Sequence, residues 1–523
     1  AASGDLLHEL GRALDAAGGR RSVEASAQAF EEAMLPTFRT LPRLPGDRVD
    51  AGAARYLLYR AFLARHNWAV LGFESGGNAW NSSSPASVFG QAQAGEGLGA
   101  AFEERLAGGG LTLRECAVLA GTLEGLVRAE ALERLRGAFH VAGLEDPEAR
   151  ALQAREADLV MQVFLALFLL RLNPADLHAG SFAQTLQSME QSSAYWPSTV
   201  MWLRDLREEV LGRMEPWEEV SFEAVARLAE DVDFRYGALA DDECNGFRED
   251  ILRYQRGATG RVLLSAFYGA AVYNGSWQFS ESRAYLRDLG ALDETDPRRP
   301  SVIIPNYIHA PSNCVGSSAF YTVCCTNHCE DLLTKLEREV ASPYASPSRV
   351  VELVQRLPSS TVPAPRVLPQ RLVDLLEAVA AEHGGQVPLH GRLFAQWMHH
   401  AFPNECEFPH PAGSTKPLAL HDWQDLTGLS PVASKAEMEE FLAASDDADI
   451  AEEPEAAQPW RPEEELRFHA PPAPSADRAS RSWLRLLALP AAGGSVALAL
   501  WRTAAGARST TALPLHKRKE HFI

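Results

Sequence analysis

Residues 111–174 read LTLRECAVLAGTLEGLVRAEALERLRGAFHVAGLEDPEARALQAREADLVMQVFLALFLLRLNP, and their pattern decides the fold class. Apolar residues recur at helical spacing from Leu111 to Ala142, and Gly143 stands where a C-terminal cap is expected. Asp146-Pro147-Glu148 then offers an N-cap, a first-turn proline and a first-turn acid. A second helix is therefore predicted to open there and run to Leu172, stopping at Asn173-Pro174. From Leu159 to Leu170 it is apolar except for Gln162. That half spans roughly 18 Å as a helix, short of a bilayer core of about 30 Å, so it reads as a buried core helix.

Helical character continues on both sides. Ala54 to His66 is amphipathic, while Gly72 to Gly97 is rich in Gly, Ser and Asn and reads as loop. Usable apolar faces follow at Phe182–Met214, Phe222–Phe234 and Arg261–Tyr273, and Val302-Ile303-Ile304 before Pro305 is the best candidate strand. Ser346-Pro347 opens a helix through Leu357, Leu368 to His383 forms another, and Pro388 to Phe402 is the last. No series of alternating strands and helices occurs, which disfavours a doubly wound nucleotide fold. The expected fold is mainly α: a multi-helix globular bundle with a disulfide-rich segment, a disordered acidic linker and one C-terminal transmembrane helix.

The expected organisation is an N-terminal helical and loop region (1–110), a helical core domain (111–300), a Cys/His-rich helical domain (301–440), the linker (441–480), the membrane helix (481–505) and a short basic tail (506–523). The linker carries ten acids against three arginines and too few apolar residues to offset the entropy of ordering. Leu486 to Trp501 is sixteen residues without a charge, bracketed by Arg485 and Arg502, with Trp483 and Trp501 near its ends. As a helix it spans roughly 24 Å, enough to cross with snorkelling arginines and local thinning. Pro490 and Gly493-Gly494 suit a membrane helix better than a soluble one. Arg508, Lys517, Arg518 and Lys519 follow it, which slightly favours a cytosolic C-terminus.

Composition narrows the chemistry. The chain has 523 residues, 46% apolar and 23% charged, with a net charge of −20. That charge argues against a broad phosphate-binding surface, so no nucleic-acid partner is expected. Lysine is scarce beside arginine, and none precedes Lys335; a Gly-rich phosphate loop ending in Gly-Lys-Ser/Thr is missing there and later. The chain begins with Ala rather than Met, as expected of a processed form or a fragment lacking a targeting segment.

Seven cysteines are unevenly spread: Cys116 and Cys244 are isolated, while Cys314, Cys324, Cys325, Cys329 and Cys406 cluster. Adjacent cysteines seldom pair with each other, because the ring they would close is strained. Cys324 and Cys325 are thus expected to reach different partners among Cys244, Cys314, Cys329 and Cys406, with connectivity open. Structural zinc, since Cys325 and His328 have ligand spacing, and free thiols are the alternatives; no Cys-x-x-Cys redox pair is present.

Histidines crowd the same block, seven of fifteen lying within residues 300–415. On a continuous Pro388–Phe402 helix, His390 and His400 would lie near one face but about 15 Å apart, and His399 would point away. The metal set that survives is His400, Cys406 and His410; the plainer reading is histidines packed at a helix end with Cys406 in a disulfide. Asn81 and Asn274 each begin a glycosylation triplet. No Gly-x-Ser-x-Gly elbow and no His-Glu-x-x-His occurs.

The segments Asn78–Pro85, Ile304–Cys314 and Pro388–His410 resemble those of an uncharacterised protein family of dinoflagellates and related microalgae, over about residues 50 to 415, with Pro388–His410 the most specific part. The resemblance implies an algal source and carries no activity and no catalytic residue across. The expected function is that of a membrane-tethered structural or interaction protein, single-pass, with its globular part lumenal or extracellular and a protein partner. The alternatives are a metal- or haem-dependent enzyme centred on residues 309–410, and a lumenal protein whose tail lies on the membrane surface.

Overall fold

The structure is a computed structural model, and it describes residues 20–71, 73, 109–144, 151–178, 182–192, 195–274, 279–316, 318–446 and 459–468. All of them lie within one compact unit, Ala1–His469. Sixteen α-helices and nine short strands occur among the described residues, so the protein is mainly helical. The acidic-linker residues 447–458, Asn81, the candidate membrane helix 481–505 and the basic tail fall outside them. No helix among the described residues is long and apolar enough to cross a membrane.

The signature stretch forms Leu113–Val141, opened by a reciprocal Thr112/Glu115 cap. Gly143 at φ +77° takes the left-handed turn that ends it, its N–H donating to His140 and that of Leu144 to Phe139. The next helix starts later than the sequence pattern predicts. It runs Ala154–Leu169 after a two-residue strand, Leu152–Gln153, that pairs with Glu219–Val220. Glu156 reaches back to the Gln153 N–H at 2.9 Å, which satisfies a donor the helix leaves free. Asp146-Pro147-Glu148 lies outside the described residues.

Three cores form, and they do not follow the expected domain boundaries. The first gathers apolar residues from Ala27 to Phe73, from Leu111 to Ala240, and Phe320, Tyr321 and Val323 from much further along. Strand Trp68–Val70 recruits that last piece by pairing antiparallel with Tyr321–Val323. The second core runs from Ile251 to Ala310 and adds Cys325, Trp423 and Met438. Its sheet has the order Arg261–Leu263, Ser301–Ile303, Leu292–Asp293, so the strand expected at Val302-Ile303-Ile304 forms at its first two residues, while Ile304 opens helix Ile304–Ile308. The third core spans Leu332 to Cys406 on four helices: His328–Val340, Pro347–Gln355, Gln370–Glu382 and Arg392–Ala401. Burial of these apolar faces is the main driving force, at about 25 cal/mol per Å² removed from water.

A single helix ties the first core to the second. Phe222–Leu252 is 31 residues long, about 46 Å at the standard rise. Val225, Leu228, Val232 and Tyr236 pack in the first core, while Ile251 is in the second and Phe247 packs against it. Charged side chains lock the cores from inside. Arg134 binds Asp233 through two bonds of 3.0 and 3.1 Å, its guanidinium lying over Phe164 and Phe168. Arg60 joins the first core to the third through Glu330 and the fully buried Glu337, each at 2.5 Å. Removing one partner of such a pair strands a charge in the interior, which typically costs 3–5 kcal/mol, about as much as a core cavity.

The expectation of disorder across 441–480 fails over the described residues 441–446 and 459–468. Residues up to Asp446 belong to helix Lys435–Asp446, which packs on the second core through Met438 and Phe441. Pro459–Phe468 lies along the first turn of Arg392–Ala401, and Phe468 is buried in the first core. Composition alone missed this, because two aromatic residues and main-chain bonds offset the ordering entropy that the acids cannot.

Candidate functional site

Between Tyr321 and Cys329 the chain passes through all three cores. Tyr321 and Val323 sit in the first, Cys325 in the second, and Cys329 packs on the third. Three disulfides fasten this passage: Cys314–Cys324, Cys244–Cys325 and Cys329–Cys406. The adjacent cysteines do take different partners. Side chains alternate across a strand, so as Tyr321–Val323 ends, Cys324 turns to its own hairpin and Cys325 to the long Phe222–Leu252 helix. Cys116 is the free thiol among the described residues; it is buried, and burial next to Glu115 pushes its pKa far up, so it stays a neutral packing group.

Polar groups finish the junction. The Cys324 N–H donates to the Asn67 carbonyl at 2.9 Å, and the Thr326 N–H to Asp241 Oδ1 at 2.9 Å. Asn327 caps His328–Val340, accepting from the N–H groups of Cys329 and Glu330 at 3.0 and 3.3 Å. Its amide also donates to Glu407 Oε1 at 3.2 Å, and the same oxygen lies 3.0 Å from His309 Nδ1. Asn245 donates to Asp241 and presents its oxygen to His328 Nε2 at 3.3 Å, so that nitrogen carries the proton. Burial, then the nearby Arg248 and His309, lowers the His328 pKa. Arg248 pairs with the buried Glu405 at 3.4 Å, and Glu405 Oε1 also accepts from Ser360 and from both donors of Thr361.

The metal set proposed from sequence does not assemble. Cys406 spends its sulfur on Cys329, so no thiolate remains to ligate. His410 Nε2 donates to the Gly290 carbonyl at 2.8 Å. His400 lies tilted against Trp460 with ring centroids 5.9 Å apart, and burial holds its pKa down at about 4. No group of three or more His, Cys, Asp or Glu residues able to hold an ion occurs among the described residues.

His400 stays on the side of Leu393 and Trp397, but the helix is buried on nearly every face, so pointing away does not expose His399. His399 is the buried one, at 2% exposure, donating from Nδ1 to the Cys406 carbonyl at 2.7 Å; burial lowers its pKa to about 3. His390 is not on the helix, which begins at Arg392 after Gly391, but sits by Thr40 and Glu337. The error came from running the helical pattern through Gly391. Asn274 ends helix Leu264–Asn274, and its side chain lies outside the described residues.

Two backbone positions hold the site close-packed. Gly260, at φ +74°, faces the Pro403 carbonyl so tightly that a side chain there would overlap it. Asn306 exchanges two bonds with the Phe408 backbone, at 2.9 and 2.8 Å, which seats the segment after Cys406 on the second core. Chemically, His309 with Glu407 has the form of a base with its orienting acid. No hydroxyl or thiol is hydrogen-bonded to its Nε2 among the described residues. The reading from sequence missed His309–Glu407 and Arg60–Glu337; Arg60 inside the apolar run Tyr56–Phe62 was the available signal for the second. Comparison with protein-family models, with curated proteins and with solved structures finds no match to the chain.

Proposed function

We propose that the protein is a structural or interaction protein of an oxidising compartment, with its globular part lumenal or extracellular and its C-terminal segment 481–505 serving as a single membrane anchor. One observation carries the first half: six cysteines joined at the place where the cores converge. Crosslinks of that kind persist where the medium is oxidising. The anchor rests on the uncharged Leu486–Trp501 run between Arg485 and Arg502. The microalgal resemblance adds no activity. The metal-enzyme alternative has lost its thiolate ligand.

Two experiments test the halves separately. Alkylation of unreduced protein under native conditions should leave all six junction cysteines unlabelled; labelling of any of them removes the compartment argument. The full chain should stay with membranes after alkaline carbonate, and a chain lacking residues 481–523 should be released. Retention of the shortened chain, or release of the full one, defeats the anchor.

A further inference from the structure

Pro459–Phe468 meets the body chiefly through its own backbone. The Arg392 N–H donates to the Glu465 carbonyl at 2.9 Å and the Arg467 N–H to the His390 carbonyl at 3.2 Å, with Gly391 and Leu466 bridged antiparallel. The Arg392 guanidinium donates to the strap carbonyls of Glu463 and Arg461, at 2.6 and 2.9 Å, and is itself held to the body by the Pro409 carbonyl at 3.2 Å. Apart from the Glu463 carboxylate, 3.8 Å from the Arg392 guanidinium, these contacts read an extended main chain. This is how sheet edges and grooves hold peptides.

Side-chain selectivity is added at four points. Glu464 accepts from the Leu393 N–H at 3.1 Å, at the positive end of the helix, and lies 3.0 Å from His383 Nε2. Glu465 accepts from the Ala412 N–H at 3.0 Å. Aromatic residues anchor both ends: Trp460 against His400, and Phe468 against Tyr56 and His390, with centroids 5.4 and 5.8 Å away. Gly391 makes room for the acid, since a Cβ there would lie 3.1 Å from a Glu464 oxygen.

We infer that this face is a recognition groove for extended peptides carrying consecutive carboxylates between two aromatic anchors, with Trp460–Phe468 as its resident and exchangeable occupant. The partner is a segment of another chain with that chemistry. Covalent linkage holds the resident strap at an effective concentration in the millimolar range, which masks the groove from such a partner until the strap is displaced. The inference does not depend on the compartment or the anchor.

The test uses the full chain carrying Trp460→Ala and Phe468→Ala, with a labelled peptide of the sequence Pro459–Phe468 followed by fluorescence anisotropy. The variant should bind the peptide at least about ten-fold more tightly than the unsubstituted chain, because its own strap competes less. Adding Arg392→Gln should weaken binding by about ten-fold, as should replacing the peptide's three glutamates with glutamines. Equal binding by the two chains, no binding, or indifference to Arg392→Gln overturns the inference. Hydrogen exchange on the unsubstituted chain stands independently of variant folding. The Arg392 and Arg467 amides should exchange well ahead of the Trp397 amide, reporting release of the strap alone; equal rates would mean that the strap leaves only when the body unfolds.

Discussion

The Tyr321–Cys329 passage and the Pro459–Phe468 strap pose the same problem and solve it in opposite ways. Each is a short stretch without an interior of its own, laid across elements distant in sequence. The passage is held covalently, by bonds to Cys244, Cys314 and Cys406. The strap is held by carbonyls on one arginine, a capped carboxylate and two aromatic ends. The first arrangement is a covalent junction between cores; the second is held by non-covalent contacts alone.

The largest expected effect comes from breaking the passage at its long closures. Replacing both members of Cys329–Cys406 or Cys244–Cys325 by Ala frees loops with sequence separations of 77 and 81. Denaturant melts should show a loss of about 4.5 kcal/mol for either pair on the chain-entropy estimate. Replacing Cys314 and Cys324 opens a separation of only 10 and should cost about 2.7 kcal/mol on the same estimate. If the short closure proves the costlier, the cores are not joined through these bonds.

The strap responds more weakly. Arg392→Gln removes charged hydrogen bonds to the strap carbonyls and should weaken docking of the strap by about 2 kcal/mol. Proteolytic cleavage near Pro459 should accelerate while the melting of the body shifts little. A coincident collapse of both would erase the distinction between the two segments.

Per pH unit, the smallest effect is a pH dependence at the strap's Trp460 end. Burial holds His400 down at about 4, helped by the Arg371 and Arg261 cations, whereas an unfolded histidine titrates near about 6.5. Between those values the unfolded chain takes up a proton that the folded one refuses. Stability from this group therefore falls as pH drops through that window, by up to about 1.4 kcal/mol per unit, and is unaffected above it. His400→Gln should lose less stability than the unsubstituted chain between pH 6.5 and 4 by about that slope, and should match it at pH 8. Parallel curves would show that His400 is protonated in the fold.

Much of the architecture was readable residue by residue. The apolar spacing of Leu113–Val141, the turn at Gly143 and the strand at Val302-Ile303 are local properties, and local patterns specify them. The separation of Cys324 from Cys325 followed from ring strain. What escaped was non-local. Nothing in Trp68–Val70 announces Tyr321–Val323 as its partner, so the cores could not be drawn as they are. Gly391 reads equally as a helix residue or a cap, and that choice put His390 on a helix it precedes, whereas His399 is buried because nearly every face of Arg392–Ala401 is covered. Trp460 and Phe468 were outweighed by the acids around them, although an aromatic at each end of an acidic run was the visible clue.

The most direct trial of the stapled junction is a non-reducing peptide map of protein alkylated before any reductant is added. The expected result is three crosslinked peptides joining Cys244 to Cys325, Cys314 to Cys324 and Cys329 to Cys406, with Cys116 labelled only after unfolding. Alkylated Cys325 or Cys406 in the native protein, or either of them joined to a different cysteine, would contradict it.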